Sequence, residues 1–96
     1  MKTIWKYELR AAGEQCHIVP PGAKSLSVQV QKGVPCVWML VDPDAATDPR
    51  NTRRFFIFGT GHPIPDSEDL SFIGTFQLDD GDLVFHLFEE TTGDCE

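Results

Sequence analysis

The sequence predicts an all-β protein, a single-domain antiparallel sandwich or small barrel of about seven short strands. Apolar and polar residues alternate with a period of two through most of the chain, most clearly over residues 25–31. This alternation is typical of strands that bury one face. No segment shows the sustained period of an amphipathic helix. The length of 96 residues predicts one domain spanning 1–96.

Residues that favour turns separate the alternating segments. The predicted strands are residues 3–9, 15–19, 25–31, 34–41, 52–59, 70–78 and 83–89. The acidic, proline-containing segment 42–51 predicts a loop. Asp79-Asp80-Gly81 predicts a hairpin, because Asp-Gly pairs readily adopt the positive φ angles of a type I′ turn. A bulge or a sheet edge is expected near Pro35, since proline has no amide hydrogen to donate.

Alternation also assigns side chains to faces of the predicted strands. In segment 70–78 it places four large apolar residues on the face that carries Gly74: Leu70, Phe72, Phe76 and Leu78. In segment 83–89 it separates Leu83, Phe85 and Leu87 from Val84, His86 and Phe88. The denser apolar run 34–41 predicts a strand buried on both faces.

The formal net charge of −7 is distributed unevenly, because every Lys and Arg lies at or before Arg54. An acidic second half disfavours direct nucleic-acid binding, which needs a contiguous basic surface. The acidic side chains can simply lie in solvated loops and turns. Alternatively, Asp79, Asp80 and Asp82 form an acidic face that meets a basic partner protein. No apolar run is long enough to span a membrane and the first residues do not resemble a signal peptide, so we expect a cytoplasmic protein.

Cysteine and histidine spacing gives no metal or catalytic motif. The three cysteines have no C-x-x-C spacing, so reduced thiols are expected, with Cys16 and Cys36 as small core residues. No metal site, cofactor or catalytic residue is predicted. His62 and His86 would support phosphodiester cleavage only if the fold brings them together.

The segment Arg53–Pro65 carries the strongest candidate site, because a basic pair leads into an apolar strand that breaks at Gly-Thr-Gly-His-Pro. Irregular polar backbone at the end of a rigid strand commonly carries binding groups. The candidate ligand- or partner-binding residues are Arg53, Arg54, Gly59, Thr60, Gly61 and His62. The structural alternatives are a turn whose histidine caps a carbonyl, and arginines paired with Asp42, Asp44 or Asp48.

Several motifs together resemble a known family. They are residues 2–9 (KTIWKYEL), 21–24 (PGAK), 26–29 (LSVQ), 40–43 (LVDP), 59–64 (GTGHPI), 72–75 (FIGT) and 83–89 (LVFHLFE). The pattern resembles short proteins encoded by bacteriophages and prophages, for which no activity is established. The resemblance implies an accessory role in the cytoplasm of an infected bacterium.

Two functional hypotheses follow. The first is a non-enzymatic, anti-CRISPR-like inhibitor that antagonises a bacterial immune system by binding a host defence protein. The second is an oligomeric sponge for a nucleotide-derived immune signal. In the sponge, Arg53 or Arg54 would hold phosphate, and a homo-oligomer would enclose the ligand at a subunit interface.

Overall fold

The computed structural model describes residues 1–11, 13–45, 48–66 and 69–90. The chain forms strands at the predicted places, with ends that differ from the prediction by no more than two residues. They are β1 (Thr3–Glu8), β2 (Gly13–Ile18), β3 (Lys24–Gln31), β4 (Val34–Val41), β5 (Thr52–Gly59), β6 (Leu70–Leu78) and β7 (Leu83–Glu90).

The strands form two antiparallel sheets that pack as a sandwich, which confirms the predicted fold class. One sheet has the order β1-β4-β3 and the other the order β2-β5-β7-β6. β1 and β2 follow each other in sequence but belong to different sheets. On the opposite side of the sandwich, the outermost strands β3 and β6 lie beside each other.

The core lies between the sheets and is built from the inward-facing residues of both. Its fully buried side chains include Val37, Met39 and Val41 of β4, Phe55 of β5 and Leu87 of β7. β4 and β5 are central strands of their sheets, which explains the dense apolar runs in their sequences. The predicted faces of β7 are confirmed, since Leu87 packs in the core and Phe88 pairs with Phe56 on the outer face.

β6 departs from simple alternation because it contains a bulge. The register shifts between Phe72 and Gly74, so Phe72 lies opposite Phe88 and Gly74 lies opposite Leu87. The extra residue moves Phe72 to the outer face, where it is 59% exposed. The prediction that Leu70 and Phe72 share a face with Phe76 is therefore wrong.

Two further expectations about turns and edges need correction. β4 is central and continuous at Pro35, which lies beyond the last β1 pair, Glu8 with Cys36. Its carbonyl still accepts a hydrogen bond from the Leu9 amide at 2.8 Å, although its nitrogen has no hydrogen to donate. The β6–β7 hairpin exists, but its connection is longer than a two-residue type I′ turn. Asp79 and Asp80 have φ angles of 56° and 54°, and the Asp82 amide donates to the Asp79 carbonyl at 3.0 Å.

The two described cysteines, Cys16 and Cys36, differ in burial. Cys36 is buried and its thiol is free. Cys16 is exposed on the outer face of β2, so the expectation of a core residue is wrong there. The neighbouring residue, Gln15, is polar and buried. Cys95 lies outside the described residues. In the described ranges, no helix is long and apolar enough to cross a membrane.

Candidate functional site

The turn after β5 and the loop between β6 and β7 meet at one end of the four-stranded sheet. Together they line a cleft of about 360 Å³ whose walls are Gly59, Thr60, His62, Asp82, Leu83, Val84 and Phe85. The candidate turn and Asp82 of the candidate acidic face therefore line the same cleft. We refer to this surface, Gly59–His62 with Asp79–Asp82, as the acidic end.

The Gly59–His62 turn holds the His62 ring over the backbone of β5. A Cβ atom at Gly59 would lie 2.8 Å from two atoms of the His62 ring, so glycine is needed for this close approach. The His62 amide donates to the Gly59 carbonyl at 3.1 Å, and Gly61 has a φ angle of +84°. The turn thus has a defined shape, and the imidazole is an exposed wall of the cleft.

Thr60 contacts a different histidine. Its Oγ1 lies 2.7 Å from Nε2 of His86, and Thr75 Oγ1 lies 2.9 Å from Nδ1 of the same ring. His86 is opposite Phe58 on the outer face, whereas a Cβ atom at Gly59 would point to the core side, where it meets His62. The two imidazoles thus lie on opposite faces of the sheet. This placement does not assemble the histidine pair that phosphodiester cleavage would require.

Arg53 connects the two sheets. Its Nη1 lies 3.0 Å from Oε2 of Glu89 on β7, and its Nη2 donates to the Ala23 carbonyl at 2.7 Å. The same Glu89 oxygen accepts from Ser25 Oγ at 2.6 Å. Arg53 and Glu89 are both largely buried, so this arginine forms a cross-sheet link to the start of β3.

Arg54 lies on the outer face between two carboxylates. Its Nε is 3.1 Å from Glu14 of β2, and its Nη1 is 3.3 Å from Glu90 of β7. Both arginines are therefore ion-paired, as the structural alternative proposed, but with glutamates of neighbouring strands. Asp48 instead pairs with Arg50 at 3.0 Å, and the hydrogen bonds from Arg50 hold the pKa of Asp48 below its usual value.

Asp79 and Asp80 line a second, larger cleft of about 560 Å³. Its other walls are Val30, Gly33, Gln77, Leu78 and Gly81. Both aspartates are exposed. The described ion pairs do not involve either carboxylate, so their charge is available to a partner.

Sequence patterns did not single out the aromatic outer face of the four-stranded sheet. Phe56 and Phe58 stack at 6.2 Å, Phe88 meets Phe58 at 5.8 Å, and Phe72 meets Phe88 at 5.3 Å between ring centroids. Alternation places Phe56 and Phe58 on the same strand face as Arg54. It does not place Phe72 there, because the bulge in β6 changes the face of that residue. Among the described residues, no group of three or more His, Cys, Asp or Glu side chains could hold a metal ion.

Comparison with known proteins identifies a family without assigning an activity. Neither the curated proteins nor the solved structures provide a match to the chain. One family model, described as a domain of unknown function (DUF7352), matches residues 1–94. Because this match covers nearly the whole sequence, the chain belongs to the DUF7352 family.

Proposed function

We propose that the protein is a non-enzymatic, phage-encoded accessory protein that antagonises a bacterial immune system by binding a host defence protein. The observation that carries the proposal is the acidic end, where the Gly59–His62 turn and Asp82 share one cleft. Asp79 and Asp80 extend this surface with exposed carboxylates. An acidic surface of this kind speeds association with a basic protein surface.

The ion pairs of the two arginines favour a protein partner over a nucleotide. A sponge needs a cationic side chain to hold phosphate, but Arg53 is engaged by Glu89, and Arg54 lies between Glu14 and Glu90. The cleft beside His62 is also lined by Asp82, whose negative charge repels a phosphate. The charges of this surface therefore support the inhibitor hypothesis better than the sponge hypothesis.

A plaque assay tests the proposal. The chain is expressed in a panel of bacterial strains that each carry one immune system, and the strains are challenged with a phage that the system restricts. We expect the wild-type chain to restore plaque formation in at least one strain. We expect the triple variant Asp79→Asn, Asp80→Asn, Asp82→Asn to lose this effect, because it removes the charge while asparagine still tolerates positive φ angles.

The matched control removes three exposed charges elsewhere, through Glu8→Gln, Asp44→Asn and Asp66→Asn. It should retain the effect of the wild-type chain, and association of the purified chain with the identified defence protein should slow roughly tenfold only in the acidic-end variant. If no immune system in the panel is antagonised by the wild-type chain, the proposal is wrong. Equal loss in both triple variants would show that net charge, rather than this surface, matters.

A further inference from the structure

A groove runs along the side of the sandwich where the outermost strands β3 and β6 lie beside each other. Its smaller part, about 350 Å³, is lined by Val28, Gln29, Val30, Thr75, Phe76 and Gln77. The larger part is the cleft of about 560 Å³ at Asp79 and Asp80. Because Val30 and Gln77 line both parts, the two clefts form one continuous groove.

The groove lies between two free strand edges. In the described part of the chain, β3 is hydrogen-bonded only to β4, and β6 only to β7. Each strand has a bulge in its first half, between Ser25 and Ser27 in β3 and between Phe72 and Gly74 in β6. Bulges protect strand edges from unwanted pairing. Residues 28–31 and 75–78 beyond the bulges keep a regular register, so an added strand can pair there.

The spacing between the two strands supports the same site. At the bulged end they touch, since a Cβ atom at Gly74 would lie 2.8 Å from Val28 Cγ1. From this contact both strands run towards their hairpin turns, and the smaller cleft is followed by the larger one in that direction. Both clefts therefore lie alongside the regular part of the two edges.

The groove has an apolar floor and two aspartates at one of its ends. Val28 and Phe76 are buried, while Val30 remains 36% exposed. These residues alternate with polar Gln29 and Gln77, so the floor accepts apolar side chains at every second position of an extended segment. Asp79 and Asp80 close that end with two carboxylates that no described ion pair neutralises. This charge is complementary to a Lys or Arg side chain.

The geometry points to this groove as the docking site for an extended segment of the partner protein, added as a strand along the free edge of β6, which Asp79 and Asp80 follow directly. The segment carries alternating apolar side chains and places a Lys or Arg at Asp79 and Asp80. The inference rests on the proposed function and specifies how the partner is held. Main-chain pairing supplies the affinity, and Asp79 and Asp80 select a basic residue.

A peptide titration tests the inference without the partner. The full-length chain, labelled with ¹⁵N, is titrated with the blocked peptide Lys-Val-Thr-Val-Thr-Val-Lys and with versions whose end residues are both Ala or both Glu. Basic residues at both ends allow either strand direction. We expect the lysine peptide to shift the amide signals of residues 28–31 and 75–80. We expect it to bind roughly tenfold more tightly than the glutamate peptide.

Variants localise the binding. Val30→Lys places a positive charge in the groove and should weaken binding of the lysine peptide roughly tenfold. Ile4→Lys, at a 55% exposed position of β1, should leave binding unchanged. If Val30→Lys fails to fold, the double variant Asp79→Asn, Asp80→Asn replaces it and should abolish the preference for lysine over alanine ends.

The inference is wrong if the lysine peptide shifts none of these amide signals, or if the three peptides bind equally well. It is also wrong if Val30→Lys folds and keeps both peptide affinity and the effect in the plaque assay. A wild-type chain that binds the lysine peptide but antagonises no immune system would contradict the proposed function while leaving the groove intact. The two failures are therefore distinguishable.

Discussion

Gly74 controls how closely the two sheets approach at the β3–β6 side. Its Cβ would lie 2.8 Å from Val28 Cγ1, and Val28 is buried. We therefore expect Gly74→Ala to lower the free energy of unfolding by about 1–3 kcal/mol, as overpacked core substitutions do. Urea unfolding of the wild-type and variant chains measures this difference.

Two comparisons make the Gly74 prediction specific to its neighbour. In a Val28→Ala background the same substitution should cost less, because the clashing methyl is absent, which a double-mutant cycle detects. Gly59→Ala introduces a contact of the same 2.8 Å, but with the exposed His62 ring, which can turn away. It should cost less than about 1 kcal/mol. Equal costs at Gly59 and Gly74 would contradict the argument.

At the scale of elements, Arg53 stabilises β3, β5 and β7 together. Its side chain and that of Glu89 are only 22% and 17% exposed, so Arg53→Met leaves a poorly solvated carboxylate and loses the bond to Ala23. We expect the free energy of unfolding to fall by about 2–3 kcal/mol. The control Arg50→Met removes an exposed pair and should change stability by less than about 0.5 kcal/mol.

The same measurement separates the two roles considered for Arg53. A ligand-binding arginine held in place by little else would be replaced by Met with almost no loss of stability. A loss similar to that of Arg50→Met would therefore contradict the structural role. Thermal unfolding of both variants under identical buffer conditions gives an independent reading of the same difference.

Strands were predictable from sequence because alternation and turn residues are local properties. Residues 34–41, 52–59 and 70–78 match β4, β5 and β6 at both ends. The bulge in β6 was not predictable, because one extra residue leaves the local pattern of apolar residues unchanged while reversing the face of Phe72. The place of Phe72 on the aromatic outer face was missed for this reason.

At the scale of the whole molecule, the candidate site depended on contacts that sequence patterns do not specify. The segments containing His62 and Asp82 were placed at strand ends, but their meeting requires β5 to pair with β7. The partners of Arg53 and Arg54 likewise depend on the strand order β2-β5-β7-β6. The groove requires in addition that two separate sheets pack with β3 beside β6.

His17 gives the whole fold a dependence on pH. Its ring lies in the interior between Tyr7 of one sheet and Phe55 of the other, with centroid distances of 5.9 and 5.8 Å. Its Nε2 is buried and has no hydrogen-bond partner among the described residues. Burial lowers the pKa of His17, and the positive charge of Arg10 lowers it further.

A lowered pKa in the folded state means that the unfolded chain binds the proton more readily. The stability that neutral His17 contributes is therefore fully present above the ordinary histidine pKa of about 6.5. It is lost as the pH falls below that value. We expect urea unfolding at pH 8, 7, 6 and 5 to show this decline in the wild-type chain. His17→Phe keeps a ring between Tyr7 and Phe55 but cannot be protonated, so its stability should fall less over the same range. His62→Gln, at an exposed position, should retain the wild-type decline. If the stability of His17→Phe declines as steeply as that of the wild-type chain, other groups cause the pH dependence.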